Sequence, residues 1–201
     1  MATSSKIIIL KHPSEEKRSL TTVPLLQMGL TPESCHVFVG VSFNLNIPES
    51  LKELLNTHRC FLVYPTRDAE LLEDVVSPGE EKCAFIFLDA SWRRVKSLFT
   101  KNRNWLSKLP CVKLKSSQLS QYVIRTQPND QCVSTLEAAA MVLNHMECEK
   151  YPNIFEDLTE PLRTLCQHQL NHGAQKHESK QQKRLYDRDA AKLIEIADTN
   201  D

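Results

Sequence analysis

The chain has 201 residues, of which 41% are hydrophobic, and its 25 basic and 25 acidic side chains give a formal net charge of zero. This length and apolar content fit a folded domain with a buried core and exclude a chain that is disordered throughout. The four glycines are too scattered for the glycine-rich loops of P-loop and dinucleotide-binding proteins, which excludes both classes.

Strands and helices are predicted to alternate along the chain. Short apolar or β-branched runs predict strands over Ile7–Leu10, Cys35–Val41, Cys60–Tyr64, Ala84–Leu88, Cys111–Leu114 and Tyr122–Ile124. Helical spacing of apolar residues predicts helices at the end of Ser14–Leu30 and over Pro48–Asn56, Arg67–Val76, Ser91–Leu106, Ser134–Glu149 and Asn153–Asn171. Because Ala84–Leu88 has no polar alternation, we expect both its faces to be buried, as in a central parallel strand. The pattern predicts an α/β fold with a mostly parallel sheet flanked by helices.

The composition changes after Gly173, where Gln, Lys, His, Glu, Asp and Arg dominate. Residues 1–173 are therefore interpreted as one domain and 174–201 as a polar, flexible tail. The apolar runs are too short to span a bilayer, and Met1–Lys6 does not lead into a secretory signal. The seven cysteines form no CxxC pair, so we expect reduced, mostly buried thiols and no metal site. These features predict a cytoplasmic or nuclear protein.

Charge is segregated along the chain. The stretch between Asp89 and Asp130 contains no acidic residue and nine basic ones. These are Arg93, Arg94, Lys96, Lys101, Arg103, Lys108, Lys113, Lys115 and Arg125. Such a stretch offers a polyanion a basic surface, although a solvated basic helix without a ligand has the same pattern.

Two groups of polar residues follow predicted strands. The segment from His12 to Thr22 is rich in groups that bind a zwitterion or a phosphate, although a solvated loop has the same composition. Asp89 and Ser91 follow the apolar strand, and ligands of open α/β sheets bind at the carboxyl ends of strands. Asp89 is thus either a ligand contact or the cap of the next helix, and Trp92 is either core or a stacking platform for a base.

A third group comprises Arg125 and the start of a strongly predicted helix. Arg125 is predicted to end a strand at the same sheet edge as Asp89, where it could clamp an anion. Ser134 and Glu137 have the spacing of a capping box, which accounts for them structurally. The free amides of that helix start would also suit a carboxylate or phosphate.

In this order and spacing, the three groups resemble the DTW-domain family, named for an Asp-x-Thr-Trp-like signature. The signature corresponds to Asp89-Ala90-Ser91-Trp92, with serine in place of threonine. The family pattern has three other segments. They correspond to His12, Pro13, Glu15 or Glu16, Arg18 and Thr22; to Arg125 and Pro128; and to Ser134, Thr135, Glu137 and Ala138. The resemblance runs from about Ile7 to about Asn171 and is greatest to the animal-type tRNA-uridine aminocarboxypropyltransferases.

The resemblance implies a catalytic domain over residues 1–173 with a SPOUT-like fold and a C-terminal trefoil knot that holds S-adenosyl-L-methionine (SAM). It implies SAM-dependent transfer of the 3-amino-3-carboxypropyl group to N3 of a tRNA uridine in the D-loop, which forms acp3U and releases methylthioadenosine. The implied donor is SAM and the implied partner is tRNA. The cysteine spacing and the short apolar runs, in turn, lead us to expect neither a metal nor a membrane partner. The oligomeric state is left open, with a monomer favoured.

For this reaction we expect roles for individual residues. Asp89 is the candidate catalytic base that removes the proton from uridine N3, because its position at a strand end places it at the ligand edge of the sheet. The implied SAM contacts are Thr22, Leu88, Ser91, Trp92, Arg125, Ser134, Thr135 and Glu137. The implied RNA contacts are His12, Arg18, Arg93, Arg94, Lys96, Lys101 and Arg103.

Three alternatives stay open at the level of the sequence. A SPOUT-class RNA methyltransferase would use the same donor, and an enzyme of the same family could act on rRNA. Many relatives carry a cysteine-rich, zinc-binding segment before the first strand, whereas this chain has no cysteine before Cys35. The chain is interpreted as an animal-type form without that segment; a non-catalytic RNA-binding module is favoured if the segment is essential.

Overall fold

The structure is a computed structural model that describes residues 1–18, 20–44, 47–115, 120–124, 132–177, 179 and 181. The chain divides into two compact units. Unit 1 consists of Met1–Lys115 and Thr135–Pro161, and unit 2 of Ser116–Ser134 and Leu162–Asp201. The predicted division into a domain over 1–173 and a tail over 174–201 stays a prediction.

Unit 1 is built on a sheet of six strands. They are β1 Lys6–Lys11, β2 Cys35–Val39, β3 Arg59–Val63, β4 Glu70–Leu71, β5 Cys83–Asp89 and β6 Cys111–Lys113. The order across the sheet is β2-β1-β5-β3-β6-β4, and every strand pairing in the described part of the chain is parallel. All residues of β5 are buried, as its unbroken apolar sequence predicts.

Helices accompany the strands. They are α1 Val23–Gly29, α2 Glu49–Thr57, α3 Leu72–Val75, α4 Trp92–Lys101, α5 Arg103–Leu106, α6 Thr135–Glu147 and α7 Ile154–Asn171. A short 3-10 turn, Pro13–Glu15, follows β1. The α/β fold with a parallel sheet flanked by helices is therefore confirmed. None of the described helices combines the length and the apolar character needed to cross a membrane.

The two faces of the sheet have separate apolar layers, because side chains alternate along a strand. On one face Ile8, Leu10 and Ile86 belong to a buried cluster with α2, α4 and α5, in which Leu51, Val95, Leu98 and Leu106 take part. The intervening residues Ile7, Ile9 and Phe85 are fully buried. Helix α6 contacts β5 and α1.

Three local predictions were wrong, two of them because tertiary contacts outweigh the local pattern. The predicted helix Arg67–Val76 contains β4, which pairs with β6, and only the single turn α3. The predicted helix Ser91–Leu106 is interrupted at Asn102, which ends α4 and precedes α5. The predicted strand Tyr122–Ile124 is not a strand but runs into a turn.

Unit 2 contains the second part of α7 and the described residues around Tyr122. Tyr122, Leu162 and Cys166 are buried. The backbone amide of His177 donates a hydrogen bond to the carbonyl oxygen of Val123 at 2.7 Å.

The connections of unit 1 identify one edge of the sheet as a candidate ligand site. From β1 the chain passes through α1 to β2, which lies beside β1 in the direction away from β5. From β5 it passes through α4 and α5 to β6, which lies in the opposite direction across the sheet. The adjacent strands β1 and β5 end together, with Lys11 opposite Asp89. Ligands of open α/β sheets bind outside the carboxyl ends of strands where the connections diverge in this way.

Candidate functional site

Asp89 is the last residue of β5 and lies at this divergence point. The residue is 8% exposed, and its Oδ1 accepts a hydrogen bond from the Thr135 hydroxyl at 2.8 Å. Its carbonyl oxygen accepts one from the His12 amide at 2.9 Å. Because Thr135 begins α6 and His12 follows β1, residues from three elements meet at Asp89, Thr135 at its carboxylate and His12 at its backbone carbonyl.

The segment after β1 is shaped by the His12 side chain, which caps the 3-10 turn. Its Nδ1 accepts hydrogen bonds from the amide of Ser14 at 3.1 Å and from the Ser14 hydroxyl at 2.8 Å. An amide can only donate, so Nδ1 carries no proton and the neutral ring holds its proton on Nε2. Pro13 suits the first position of the turn because its φ is fixed. The turn directs Glu15 inward and leaves Glu16 exposed.

The Glu15 carboxylate is almost fully buried, with 2% of the side chain exposed. Its Oε1 accepts a hydrogen bond from the amide of Ser91 at 3.2 Å, and its Oε2 lies 3.4 Å from Nε of Arg18. Glu15 thereby joins the segment after β1 to the start of α4. At the level of the sequence, Glu15 and Glu16 were alternatives for the glutamate of the family segment, and neither was assigned a role in the site. The His-Pro-x-Glu spacing was the signal that could have identified Glu15.

Helix α4 begins directly after Asp89-Ala90. Ser91 is its N-cap with extended backbone angles of −63° and 148°, and its side chain makes no capping hydrogen bond. The Ser91 carbonyl accepts hydrogen bonds from the amides of Arg94 and Val95 at 2.7 and 2.8 Å. The alternatives for the Trp92 side chain lie outside the described part of the structure.

The signature segment thus sits between a strand end and a helix start, with an acidic side chain from each of two strand ends nearby. The DTW domain family matches residues 1–170 of the chain. The chain belongs to the DTW-domain family.

Curated relatives of this DTW domain carry the name tRNA-uridine aminocarboxypropyltransferase 2. The protein of that name from Drosophila melanogaster is 40% identical over 181 residues, which cover 90% of this chain and 70% of the relative. That from Mus musculus is 40% identical over 180 residues and that from Macaca fascicularis 38% over 180 residues, and each match covers 89% of this chain. The chain spans 59% of the length of both mammalian relatives.

The remaining residues expected to contact SAM have varied positions in this DTW domain. Leu88 is part of the apolar cluster beneath α4, so a ligand would meet its backbone rather than its side chain. Thr22 is buried before α1, and its carbonyl oxygen accepts a hydrogen bond from the Leu26 amide at 3.2 Å. Glu137 is buried in the first turn of α6.

The expectations for Ser134 and for Arg125 have different outcomes. Ser134, in unit 2, is 8% exposed, and its capping-box pairing with Glu137 stays a prediction. Arg125 and Pro128 lie outside the described residues. The reason given for placing Arg125 at the edge near Asp89 was wrong, because the preceding Tyr122–Ile124 does not form a strand.

The exposed side of α4 is strongly basic. Val95 and Leu98 are buried, whereas the basic side chains are exposed. The exposed ones on α4 and α5 are Arg93, Arg94, Lys96, Lys101 and Arg103. None of these five is ion-paired within the described part of the chain. A ten-residue helix is about 15 Å long, so α4 presents basic groups over the length of several phosphates.

Asn102 fastens the loop after β2 to the end of this basic helix. The side chain is fully buried, and its Oδ1 accepts a hydrogen bond from the amide of Phe43 at 2.7 Å. Its Nδ2 donates to the carbonyl oxygens of Val41 at 3.1 Å and Leu98 at 2.8 Å. Phe43 packs closely on Gly40, where an added Cβ would lie 2.9 Å from the Phe43 ring.

Three buried cysteines of unit 1 are unsuited to nucleophilic chemistry. Burial raises the pKa of the Cys35, Cys60 and Cys83 thiols to about 11, so these groups stay protonated near neutral pH. Among the described residues no cluster of three or more His, Cys, Asp or Glu side chains could hold a metal ion. The expected absence of a metal stays a prediction.

Proposed function

We propose that this DTW domain transfers the 3-amino-3-carboxypropyl group of SAM to N3 of a tRNA uridine, forming acp3U and releasing methylthioadenosine. The relatives' names support this activity. The structural observation that carries the proposal is the Asp89 carboxylate at the divergence point of β1 and β5, directly before an exposed basic helix. The carboxylate suits proton removal, and the helix suits an RNA backbone.

The residues around this edge fit the chemistry of SAM. The donor carries a positive sulfonium, an ammonium and a carboxylate. The buried carboxylate of Glu137 suits its positive groups, and the amides at the start of the thirteen-residue α6 suit its carboxylate. Its proposed contacts are Thr22, the backbone of Leu88, Ser91, Trp92, Arg125, Ser134, Thr135 and Glu137.

Proton removal is the proposed task of Asp89. Uridine N3 carries a proton and becomes a good nucleophile only as that proton leaves. Asp89 would take the proton while N3 bonds to the γ-carbon of the aminocarboxypropyl chain of SAM. The bond from that carbon to the sulfonium sulfur would break, and its electron pair would remain on the sulfur of the departing methylthioadenosine. SAM, when bound, supplies a γ-carbon activated by the adjacent sulfonium.

Thr135 and the basic helix have supporting tasks in this proposal. The Thr135 hydroxyl holds one oxygen of the catalytic carboxylate, and it can still accept a hydrogen bond from the donor's ammonium. The tRNA backbone contacts Arg93, Arg94, Lys96, Lys101 and Arg103, together with Arg18 and the Nε2–H of His12. The modified uridine is that of the D-loop.

We further propose a fold class, an oligomeric state and a cellular location for the enzyme. We assign the domain to the SPOUT-like class, with a C-terminal trefoil knot that holds SAM. An all-parallel sheet with flanking helices and a chain too poor in glycine for glycine-rich loops support this assignment. We also propose a monomer in the cytoplasm or nucleus. A crystal structure with SAM would test the knot.

The test is incubation of purified protein with SAM and unmodified tRNA, followed by mass spectrometry of the nucleosides. Asp89→Ala should lower the rate of acp3U formation by about a hundredfold or more and leave the Kd for SAM nearly unchanged. The control is Asp74→Asn, which changes an exposed carboxylate on α3. Near-normal turnover of the Asp89 variant would remove this carboxylate from the mechanism.

The same measurement separates the alternatives. A methyltransferase would add the mass of a methyl group rather than that of aminocarboxypropyl. Modification of rRNA but not of tRNA would move the activity to another substrate. Calorimetry that detects RNA binding but no SAM binding would identify a non-catalytic RNA-binding module.

A further inference from the structure

We infer that Glu15 is a positioning residue for the reaction, because its buried carboxylate holds the Ser91 amide and thereby fixes the Asp89–Ser91 segment. The inference rests on the proposed function. Glu15 is far from this segment in sequence, 76 residues from Ser91, and reaches it only because β1 and β5 are neighbours.

The Asp89–Ser91 segment is held at both of its ends. At Asp89, the His12 amide bonds the carbonyl oxygen at 2.9 Å and the Thr135 hydroxyl bonds the carboxylate at 2.8 Å. At Ser91, the amide donates to Oε1 of Glu15 at 3.2 Å. Without this acceptor, the end that leads into α4 would lose its hydrogen bond to the segment after β1.

Stability is a poor explanation for a carboxylate at this position. A side chain that is 2% exposed loses nearly all its hydration, so a carboxylate here is costly to bury except for the hydrogen bonds that it accepts. An apolar side chain cannot, however, accept the hydrogen bond of the Ser91 amide. The specific contribution of Glu15 is therefore an acceptor at a fixed place.

The hydrogen-bond acceptor that the Glu15 side chain provides matters more than its negative charge. One charged neighbour, Arg18, lies at 3.4 Å with 39% of its side chain exposed, so Arg18 can be solvated without Glu15. The Ser91 amide is held in the backbone and has no such freedom. Glutamine, which keeps an acceptor oxygen, should therefore replace glutamate, whereas methionine should not.

Loss of the acceptor should act on the catalytic step rather than on RNA binding. A base displaced by a fraction of an ångström loses much of its rate advantage. The basic side chains of α4 are anchored separately, through the buried Val95, Leu98 and Asn102. We therefore expect kcat to fall while the KM for tRNA is little changed.

The experiment compares Glu15→Gln with Glu15→Met in the full chain, with Glu16→Gln as the control at an exposed neighbour. Glu15→Met should lower kcat for acp3U formation about tenfold or more, with the KM for tRNA within about threefold of the wild type. Glu15→Gln should keep kcat within about threefold. Hydrogen exchange of the Ser91 amide should accelerate about tenfold in Glu15→Met but not in Glu15→Gln.

The outcomes separate the inference from the proposed function. A wild-type protein that forms no acp3U would defeat the proposed function, and the exchange of the Ser91 amide would still report on Glu15. An active wild type with an equally active Glu15→Met variant would overturn the inference. Equal losses in the Gln and Met variants would also overturn it, because they would make the charge, not the acceptor, the essential feature.

Discussion

Replacing Asn102 by alanine should destabilise unit 1 and release the loop after β2 from the basic helix. The side chain is fully buried and makes three hydrogen bonds, with the amide of Phe43 and with the carbonyl oxygens of Val41 and Leu98. Alanine removes all three at once and leaves the Phe43 amide without its acceptor.

The contacts set the size of the effect. A buried amide left without an acceptor costs about 1–3 kcal/mol, and each lost ordinary hydrogen bond contributes about 0.5–1.5 kcal/mol. The Leu98 carbonyl keeps part of its bonding through the Asn102 amide at 3.3 Å, so the full sum is not expected. We expect the free energy of unfolding to fall by about 2–4 kcal/mol, which lowers Tm by about 4–16 °C in a chain of this size.

Urea unfolding followed by tryptophan fluorescence measures this loss, and Asn104→Ala, at an exposed position of α5, is the matched control. Asn102→Asp keeps an acceptor for Phe43 but places a carboxylate against the carbonyl oxygens of Val41 and Leu98, so it should also be destabilising. An Asn102→Ala protein within about 0.5 kcal/mol of the wild type would refute the reasoning, since that is the range of neutral surface changes.

Three further predictions concern the site and the pH dependence of stability. Thr135→Val, which removes the hydroxyl bonded to the catalytic carboxylate, should lower kcat about tenfold, whereas Thr135→Ser should not. Equal single-turnover rates for Thr135→Val and the wild type would exclude a positioning role for Thr135. Changing Arg93 and Arg94 together to glutamine should weaken tRNA binding and reduce the slope of log Kd against log salt by about 1–2, and an unchanged slope would move the RNA footprint elsewhere. The hydrogen bond from Arg59, at 2.6 Å, lowers the pKa of Glu80 below its ordinary value of 4.5, so its stabilisation is present above that value and is lost as pH falls through the lowered pKa. Glu80→Gln should therefore cost less than about 1 kcal/mol near pH 7 and nothing at low pH in urea titrations, and a cost that grows on acidification would contradict this sign.

The sequence by itself determined the class of the fold and the family. Ala84–Leu88 predicted a central, doubly buried strand because its apolar residues do not alternate, and β5 has that position. The sequence also predicted that Asp89 follows the end of that strand, because the change from apolar to polar residues is a local signal. The resemblance to the DTW-domain family was confirmed by the match over residues 1–170.

Only the tertiary structure decided which side chains share the site. Thr135 contacts Asp89 across 46 residues of chain, and Glu15 contacts Ser91 across 76. The choice of Glu15 over Glu16 depends on the 3-10 turn that His12 caps, and the break between α4 and α5 depends on the contacts of Asn102 with residues 59 and 61 positions earlier. Hydrophobic periodicity reports which face of one element is buried, but these contacts depend on the order of the strands, which no local pattern contains.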